Sequence, residues 1–336
     1  MEPVRGEADL LRVRRYASAW AVFCAWATGG QLKALADGQP RPLSALPGDP
    51  RALRVTAPIL GHLGLLVRSE GPAGELWGLS HTARELSHAN ALNPGTAPLD
   101  ELARLPIVLA EGGPVPGADG VRRPHIGGVR PDDTEASRSF LEMLHRRSGP
   151  AADETARVIA AAVGPSVSQG GRALDLGGGH GRYGVALAAR GFKVTLLDQP
   201  LVVEIARERN GDLLRYKAGN FDTDGFGPED AGGVYDAVLA SNIVHGMGPA
   251  SVARLIRQLR AVVRPGGVLV FKDMFIDDTG VGPEPGVLFG LTMLMQTSEG
   301  RSYSSSELGV WLEQAGFTVR EHVAMADQGY ALLVAR

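Results

Sequence analysis

A short apolar strand that leads directly into a cluster of glycines constrains the fold of this chain more than any other feature. The segment Leu174 to Gly181 has the sequence LDLGGGHG, and an amphipathic stretch follows it to about Arg190. Glycines let the backbone turn tightly between a strand and a helix, and they let it come close to a ligand. The segment therefore predicts the first strand, loop and helix of an α/β domain.

Short apolar runs and helical segments continue to alternate after this loop. Further strands are predicted over 194–197, 235–240, 268–271 and 330–334, and helices over 201–209, 251–263 and 304–315. Strands that alternate with helices of this length predict a doubly wound α/β fold, in which a parallel Rossmann-like sheet carries helices on both faces.

The first 90 or so residues have a different pattern. Apolar helical stretches over 20–36 and 51–66 flank a proline-rich loop at 40–50. Two short apolar runs, 65–67 and 76–79, then lie on either side of a glycine turn and predict a hairpin. Helices followed by two strands predict a winged-helix module, for which an interface role is favoured over DNA binding.

Proline, glycine and aspartate are frequent from 91 to 135, which indicates connecting structure, partly helical near 102–110. Helices are predicted over 134–147 and 153–163. We predict a three-part organisation: 1–95 as the winged-helix domain, 96–165 as a helical linker that lines the substrate, and 166–336 as the cofactor domain.

Composition excludes several classes of protein. The formal net charge is -3, from 34 Lys and Arg against 37 Asp and Glu, whereas nucleic-acid binders usually carry a basic surplus. Cys24 is the single cysteine, so neither a disulfide framework nor a Cys-rich metal site is expected, and we predict that it is buried. The sequence shows no basic-then-apolar leader and no apolar run long enough to span a bilayer, so we expect a cytoplasmic protein without membrane contact.

An acidic residue at the end of the second predicted strand narrows the choice of ligand. Asp198 lies 23 residues beyond Asp175, where a carboxylate can accept hydrogen bonds from ribose hydroxyls. A dinucleotide site would also place glycine or alanine at the sixth position of its loop motif, where this chain has Arg182. S-adenosylmethionine (SAM) has no pyrophosphate and does not need that close approach, so a SAM site is favoured.

Several short segments together resemble one family. They are GHLGLL at 61–66, WGLS at 77–80, LDQP at 197–200, GNF at 219–221, RPGG at 264–267 and EQAGF at 313–317. Over nearly its whole length the chain resembles the SAM-dependent O-methyltransferases that have an N-terminal winged-helix dimerisation domain. These include plant caffeate-type enzymes and bacterial enzymes of secondary metabolism. The resemblance implies a homodimer formed through the N-terminal domain.

The resemblance also implies a set of cofactor contacts. They are Asp175, Gly177, Gly179, Asp198, Gln199, Asn220, Phe221 and Ser241. Three of these depart from the family pattern: Gln199 replaces a Leu, Asn220 replaces an Asp, and Ser241 stands where plant enzymes often have a Lys. An asparagine can still bind the adenine amino group through its carbonyl oxygen, without charge.

The resemblance implies that His245 is the catalytic base, because SNIVHGM at 241–247 matches the family's histidine segment after the fourth strand. An imidazole can take the proton of a hydroxyl as its oxygen attacks the methyl sulfonium. Asp273 matches a glutamate that orients this histidine. Gly246 and Met247 replace the family's Asp and Trp, and Glu299 is the nearest counterpart of a second orienting glutamate. A structural role for His245 is the alternative.

Phe140, Met143 and Met293 lie in segments that border the acceptor pocket in the family, and their side chains suit a flat hydrophobic molecule. Ordinary core packing is the alternative for each. The histidines show no local ligand pair, so no metal site is predicted, although one assembled from His245, Asp273 and a third group is left open.

These observations predict a SAM-dependent O-methyltransferase acting on a small aromatic or polyketide-like secondary metabolite. Methylation of carbon or nitrogen, or SAM chemistry without methyl transfer, is the first alternative. A ligand-sensing winged-helix regulator is the alternative from another class.

Overall fold

A computed structural model describes residues 6–72, 74–88, 102–117, 120–123, 129, 133–165, 169–326 and 330–336, except for the side chains of residues 7, 8, 10 and 88. The chain divides into two compact units, Met1–Leu105 and Pro106–Arg336. The predicted boundary after residue 95 lies outside the described residues, and the one after residue 165 stays a prediction.

The N-terminal unit is helical with one hairpin. Its elements are α1 Glu7–Thr28, α2 Gln31–Ala34, α3 Pro50–His62, β1 Leu66–Gly71, β2 Gly74–Leu79 and α4 His81–His88. Asp49 caps α3 by accepting the Ala52 N–H at 2.8 Å, and Pro50 occupies the first helical position, where its missing N–H costs nothing. The strands β1 and β2 pair antiparallel, which confirms the predicted hairpin. Cys24 is buried in this unit's core, as expected.

From residue 105 onward, the described chain begins with helices and continues with strands that mostly alternate with helices. The helices are α5 Leu105–Glu111, α6 Thr134–Arg147, α7 Gly149–Val163, α8 Arg182–Ala189, α9 Pro200–Asn210, α10 Pro228–Ala231, α11 Pro249–Val262, α12 Glu284–Gln296 and α13 Ser305–Gln314. The strands are β3 Arg172–Leu176, β4 Lys193–Asp198, β5 Arg215–Ala218, β6 Tyr235–Ser241, β7 Val263–Asp273, β8 Val319–Ala324 and β9 Ala331–Ala335.

These strands form one sheet in the order β5-β4-β3-β6-β7-β9-β8. The prediction of a parallel sheet is correct from β5 to β7, but β9 runs antiparallel to both β7 and β8. Only residues 325–330 separate β8 from β9, and so short a connection cannot make the crossover that a parallel pair needs. The chain passes outward from β3 to β5 and then returns to place β6 beside β3. The carboxyl ends of β3 and β6 therefore form the topological switch point, where ligands bind in such sheets.

Side chains alternate across the sheet and enter two separate cores. In β7, Leu269 and Phe271 pack with α11 and α13, whereas Val268 and Val270 pack with α7 and α8 on the other face. Helices thus cover both faces, as predicted. By the same alternation, Asp273 continues the first face and Lys272 the second.

The sequence analysis missed the strands β5 and β8 and the helices α4, α10 and α12. The two strands lie at the edges of the sheet and carry mostly exposed polar residues, so they have no apolar run. Helix α12 is apolar around most of its circumference and lacks the helical period. No helix in the described part of the chain is long and apolar enough to cross a lipid bilayer.

Candidate active site

The loop after β3 requires glycine at two of its predicted cofactor positions. Gly177 and Gly179 have φ angles of 62° and 53°, in the left-handed region that side chains with a Cβ rarely adopt. A Cβ at Gly177 would also lie 2.9 Å from the Ile243 side chain and 3.3 Å from the Phe221 ring. Gly177, Ile243 and Phe221 therefore meet at the switch point, and Ile243 is a site residue that the sequence analysis missed.

The Asp198 carboxylate links the glycine loop to the start of helix α9. Its Oδ2 accepts the Gly179 N–H at 2.9 Å, and its Oδ1 accepts the Gln199 N–H at 2.7 Å. Burial raises the pKa of Asp198, and these two N–H donors oppose the shift. Each oxygen keeps a further lone pair, so the carboxylate can still accept hydrogen bonds from a ligand's hydroxyls.

The Asp175 side chain is buried against the glycine loop. Its side chain is 1% exposed, and Cβ atoms added at Gly178 and Gly184 would lie 2.8 and 3.0 Å from its Oδ2. Burial raises the pKa of Asp175 to about 7, while the Gly184 N–H lowers it and the Asp198 charge raises it further. This placement favours support of the loop from below, and direct contact of Asp175 with a cofactor stays a prediction.

The remaining predicted cofactor residues lie at the same edge of the sheet. Gln199 precedes α9, and Asn220 follows β5 as an exposed residue whose Oδ1 accepts the Asp222 N–H at 2.9 Å. That oxygen has a second lone pair for the predicted adenine contact. Ser241 ends β6, and its buried Oγ has no hydrogen-bond partner among the described residues.

The two predicted catalytic residues meet directly. His245 Nδ1 lies 2.7 Å from Asp273 Oδ1, which also accepts the Met274 N–H at 2.8 Å. Asp273 is 2% exposed, and its Oδ2 has no hydrogen-bond partner among the described residues. With Nδ1 donating to the carboxylate, Nε2 is the nitrogen that can accept a proton. The Phe289 ring packs edge-on at 4.7 Å from the imidazole, a contact that the sequence analysis missed.

The sequence of this chain matches a known protein family. A family model described as a methyltransferase domain matches residues 143–322, more than half of the chain. The chain belongs to the methyltransferase-domain family.

Two relatives of the chain come from Streptomyces species. The chain is 28% identical over 193 residues to the tetracenomycin polyketide synthesis 8-O-methyl transferase of Streptomyces glaucescens, covering 55% of this chain and 53% of that protein. It is 31% identical over 180 residues to the 3-hydroxy-5-methyl-1-naphthoate 3-O-methyltransferase of Streptomyces sahachiroi, covering 52% and 50%. The matched region thus spans about half the length of these curated relatives.

A solved structure extends the likeness in fold to the whole chain. Human N-acetylserotonin methyltransferase, solved in complex with SAM, superimposes with a TM-score of 0.72 at 19% identity. The alignment covers 100% of this chain and 99% of the human chain. At this identity the likeness establishes the fold.

The loop that carries His245 is held at both ends by hydrogen bonds. At its start, Asn242 has a φ of 57°, accepts a hydrogen bond from Lys272 Nζ at 3.3 Å, and donates its N–H to the Lys272 carbonyl at 2.8 Å. At its end, the Tyr303 hydroxyl donates to the Met247 carbonyl at 2.6 Å. Burial raises the pKa of Tyr303 to about 12, so the hydroxyl keeps its proton. Consecutive residues Lys272 and Asp273 thus fix the loop and its imidazole from opposite faces of the sheet.

The structure separates the three predicted acceptor residues into two groups. Phe140 and Met143 are half-buried on α6. Met293 is buried on α12, one turn beyond Phe289 and on the same side of the helix. Met293 therefore lies on the helix face that reaches His245. Within the described residues, no group of three or more His, Cys, Asp or Glu side chains is arranged to hold a metal ion.

Proposed function

We propose that this methyltransferase transfers the methyl group of SAM to a hydroxyl of a small aromatic or polyketide-like secondary metabolite. The observation that carries the proposal is the His245–Asp273 pair, which follows β6 and ends β7 at the same edge of the sheet as the glycine loop after β3. The names of the two Streptomyces relatives support this class of acceptor. One name specifies O-methylation in polyketide synthesis, and the other specifies O-methylation of a hydroxynaphthoate.

The residues of the site fit SAM. Asp198 provides acceptors for the ribose hydroxyls, while Phe221 and Ile243 provide apolar surface for the adenine. The unpartnered Ser241 Oγ is a further polar group at this edge. SAM, when bound, supplies a methyl group on an electrophilic sulfonium.

The protein's own residues would handle the acceptor and its proton. Asp273 would hold the imidazole so that Nε2 could take the proton from the acceptor hydroxyl. The developing positive charge on the imidazole then lies beside the Asp273 carboxylate. Most of the rate acceleration would come from holding oxygen, methyl carbon and sulfur in line, since SAM is already activated.

Isothermal titration calorimetry of the purified chain tests the cofactor assignment. We expect micromolar binding of SAM and of S-adenosylhomocysteine (SAH), and no binding of NADH, because Arg182 occupies the position where a pyrophosphate site needs a small residue. Binding of NADH in preference to SAM, or failure to bind either sulfur ligand, would remove the proposal and leave a ligand-sensing regulator as the better reading.

We also propose that the chain forms a homodimer through its N-terminal unit and works in the cytoplasm. Tyr16 and Trp20 lie one turn apart on α1 with 56% and 44% of their surfaces exposed, and Val55 on α3 is 62% exposed. Large apolar side chains exposed on neighbouring turns of a helix, such as Tyr16 and Trp20, are typical of interaction surfaces.

Sedimentation velocity tests the dimer. We expect the mass of a dimer for the wild type and of a monomer for Trp20→Glu, with unchanged SAH affinity as evidence that the cofactor unit remains folded. A wild-type monomer at tens of micromolar would contradict the proposal.

A further inference from the structure

Arg182, the residue that departs from the dinucleotide pattern, reaches from the glycine loop to the junction between α6 and α7. It is the first residue of α8, and its Nη1 donates to the His145 carbonyl in the last turn of α6 at 2.9 Å. A Cβ added at Gly149, which begins α7, would lie 2.7 Å from Arg182 Nη2. The guanidinium thus caps one helix and closely contacts the start of the next.

His180 makes a second link between the same parts. Its Nδ1 accepts the Arg182 N–H at 3.1 Å, and its Nε2 lies 3.4 Å from Ser148 Oγ, which donates to the His145 carbonyl at 3.3 Å. Burial, followed by the charges of His145, Arg182 and Lys272, lowers the pKa of His180 to about 4. The imidazole is therefore neutral near pH 7, as it must be for Nδ1 to accept a hydrogen bond.

Helix α6 is also attached to the helix that follows Asp198. Arg138 pairs with Glu208 at 2.5 Å and Glu142 pairs with Arg209, both across to α9. Leu141 of α6 packs with Val202 and Ile205 of α9.

The same leucine reaches the glycine loop itself. A Cβ at Gly179 would lie 3.7 Å from Leu141 Cδ2. Helix α6 therefore contacts the loop and also α9, the two elements that Asp198 joins by hydrogen bonds.

We propose that Arg182 and His180 couple the glycine loop to α6, so that a nucleoside cofactor bound in the loop also fixes the helix that carries Phe140 and Met143. This inference rests on the proposed function, and it makes Arg182 a positioning residue. Its consequence is an order of binding: the acceptor surface on α6 is complete only after the cofactor has bound.

Hydrogen-exchange mass spectrometry of the full chain, with and without SAH, tests the coupling. In the wild type we expect SAH to slow amide exchange in the loop at 177–181 and also, by about fivefold, at 144–149. In Arg182→Gln the second effect should disappear while the first remains. Gly149→Ala should behave in the same way, because its methyl group would displace the Arg182 guanidinium from the His145 carbonyl.

Arg190→Gln is the matched control, because Arg190 is an exposed arginine just after α8. It should behave as the wild type does. Protection confined to the loop in the wild type, or protection of 144–149 that persists in Arg182→Gln, would overturn the coupling.

A ligand-free comparison separates failure of the coupling from failure of the proposed function. If SAH does not bind, the cofactor assignment is wrong, but Arg182→Gln still decides the coupling. Faster exchange at both 177–181 and 144–149 supports a link between them. Faster exchange at 144–149 alone refutes it.

Discussion

Replacement of His245 by alanine is expected to lower kcat for methyl transfer by about two to four orders of magnitude, the range typical of a lost general base. The Kd of SAM should change little, because the imidazole pairs with Asp273 and Phe289 rather than with the glycine loop. Turnover can be followed as SAH formation with a panel of phenolic acceptors that includes hydroxynaphthoates and N-acetylserotonin.

Two further variants distinguish the base from a structural histidine. Asp273→Asn should also lower kcat, because an amide stabilises the imidazolium less than a carboxylate does. His322→Ala removes an exposed histidine of β8 and should leave kcat and Kd unchanged. Loss of SAM binding in a folded His245→Ala protein would contradict the assignment, and so would undiminished turnover.

The second large effect is expected at Asp198. Asp198→Ala should weaken SAM binding by about a hundredfold or more, because hydrogen bonds to a charged acceptor contribute roughly 1.5–3 kcal/mol each. The substitution also removes the acceptor of the Gly179 N–H, so the loop itself loses an anchor. Calorimetry with SAM measures the change.

Asp198→Asn should be nearly as damaging as the alanine variant. Both carboxylate oxygens accept a backbone N–H, from Gly179 and Gln199, and an amide offers only one oxygen for the two donors. Asp212→Ala, at an exposed aspartate just after α9, is the control and should bind SAM normally. Unchanged affinity in a folded Asp198→Ala protein would exclude the ribose role.

Local patterns in the sequence were enough to predict the glycine loop after β3 and the position of Asp198. The glycines after β3 are required by positive φ angles within the loop itself, and the apolar runs of β3, β4, β6 and β7 reflect burial on both faces. Asp198 was placed by its position at the end of a strand. Each of these features depends on neighbours a few residues away, which is why the sequence displays them.

The proposed catalytic pair was predicted on a different basis. His245 and Asp273 were assigned from a family resemblance, because no spacing rule joins residues 28 positions apart. They meet because parallel pairing sets β6 and β7 in register, so that both residues lie at the same edge of the sheet.

Only the tertiary structure revealed why other residues are present. Arg182 departed from a loop motif without an evident reason until its contact with His145 appeared, and the sequence did not show that the Asp175 side chain is buried against the glycine loop. At the antiparallel edge, the polar strand β8 also has no apolar pattern to predict it. The physical reason is common to all three. Contacts between single residues of distant segments leave no periodic pattern in the sequence, whereas the backbone conformation of a loop and the burial of a whole strand do.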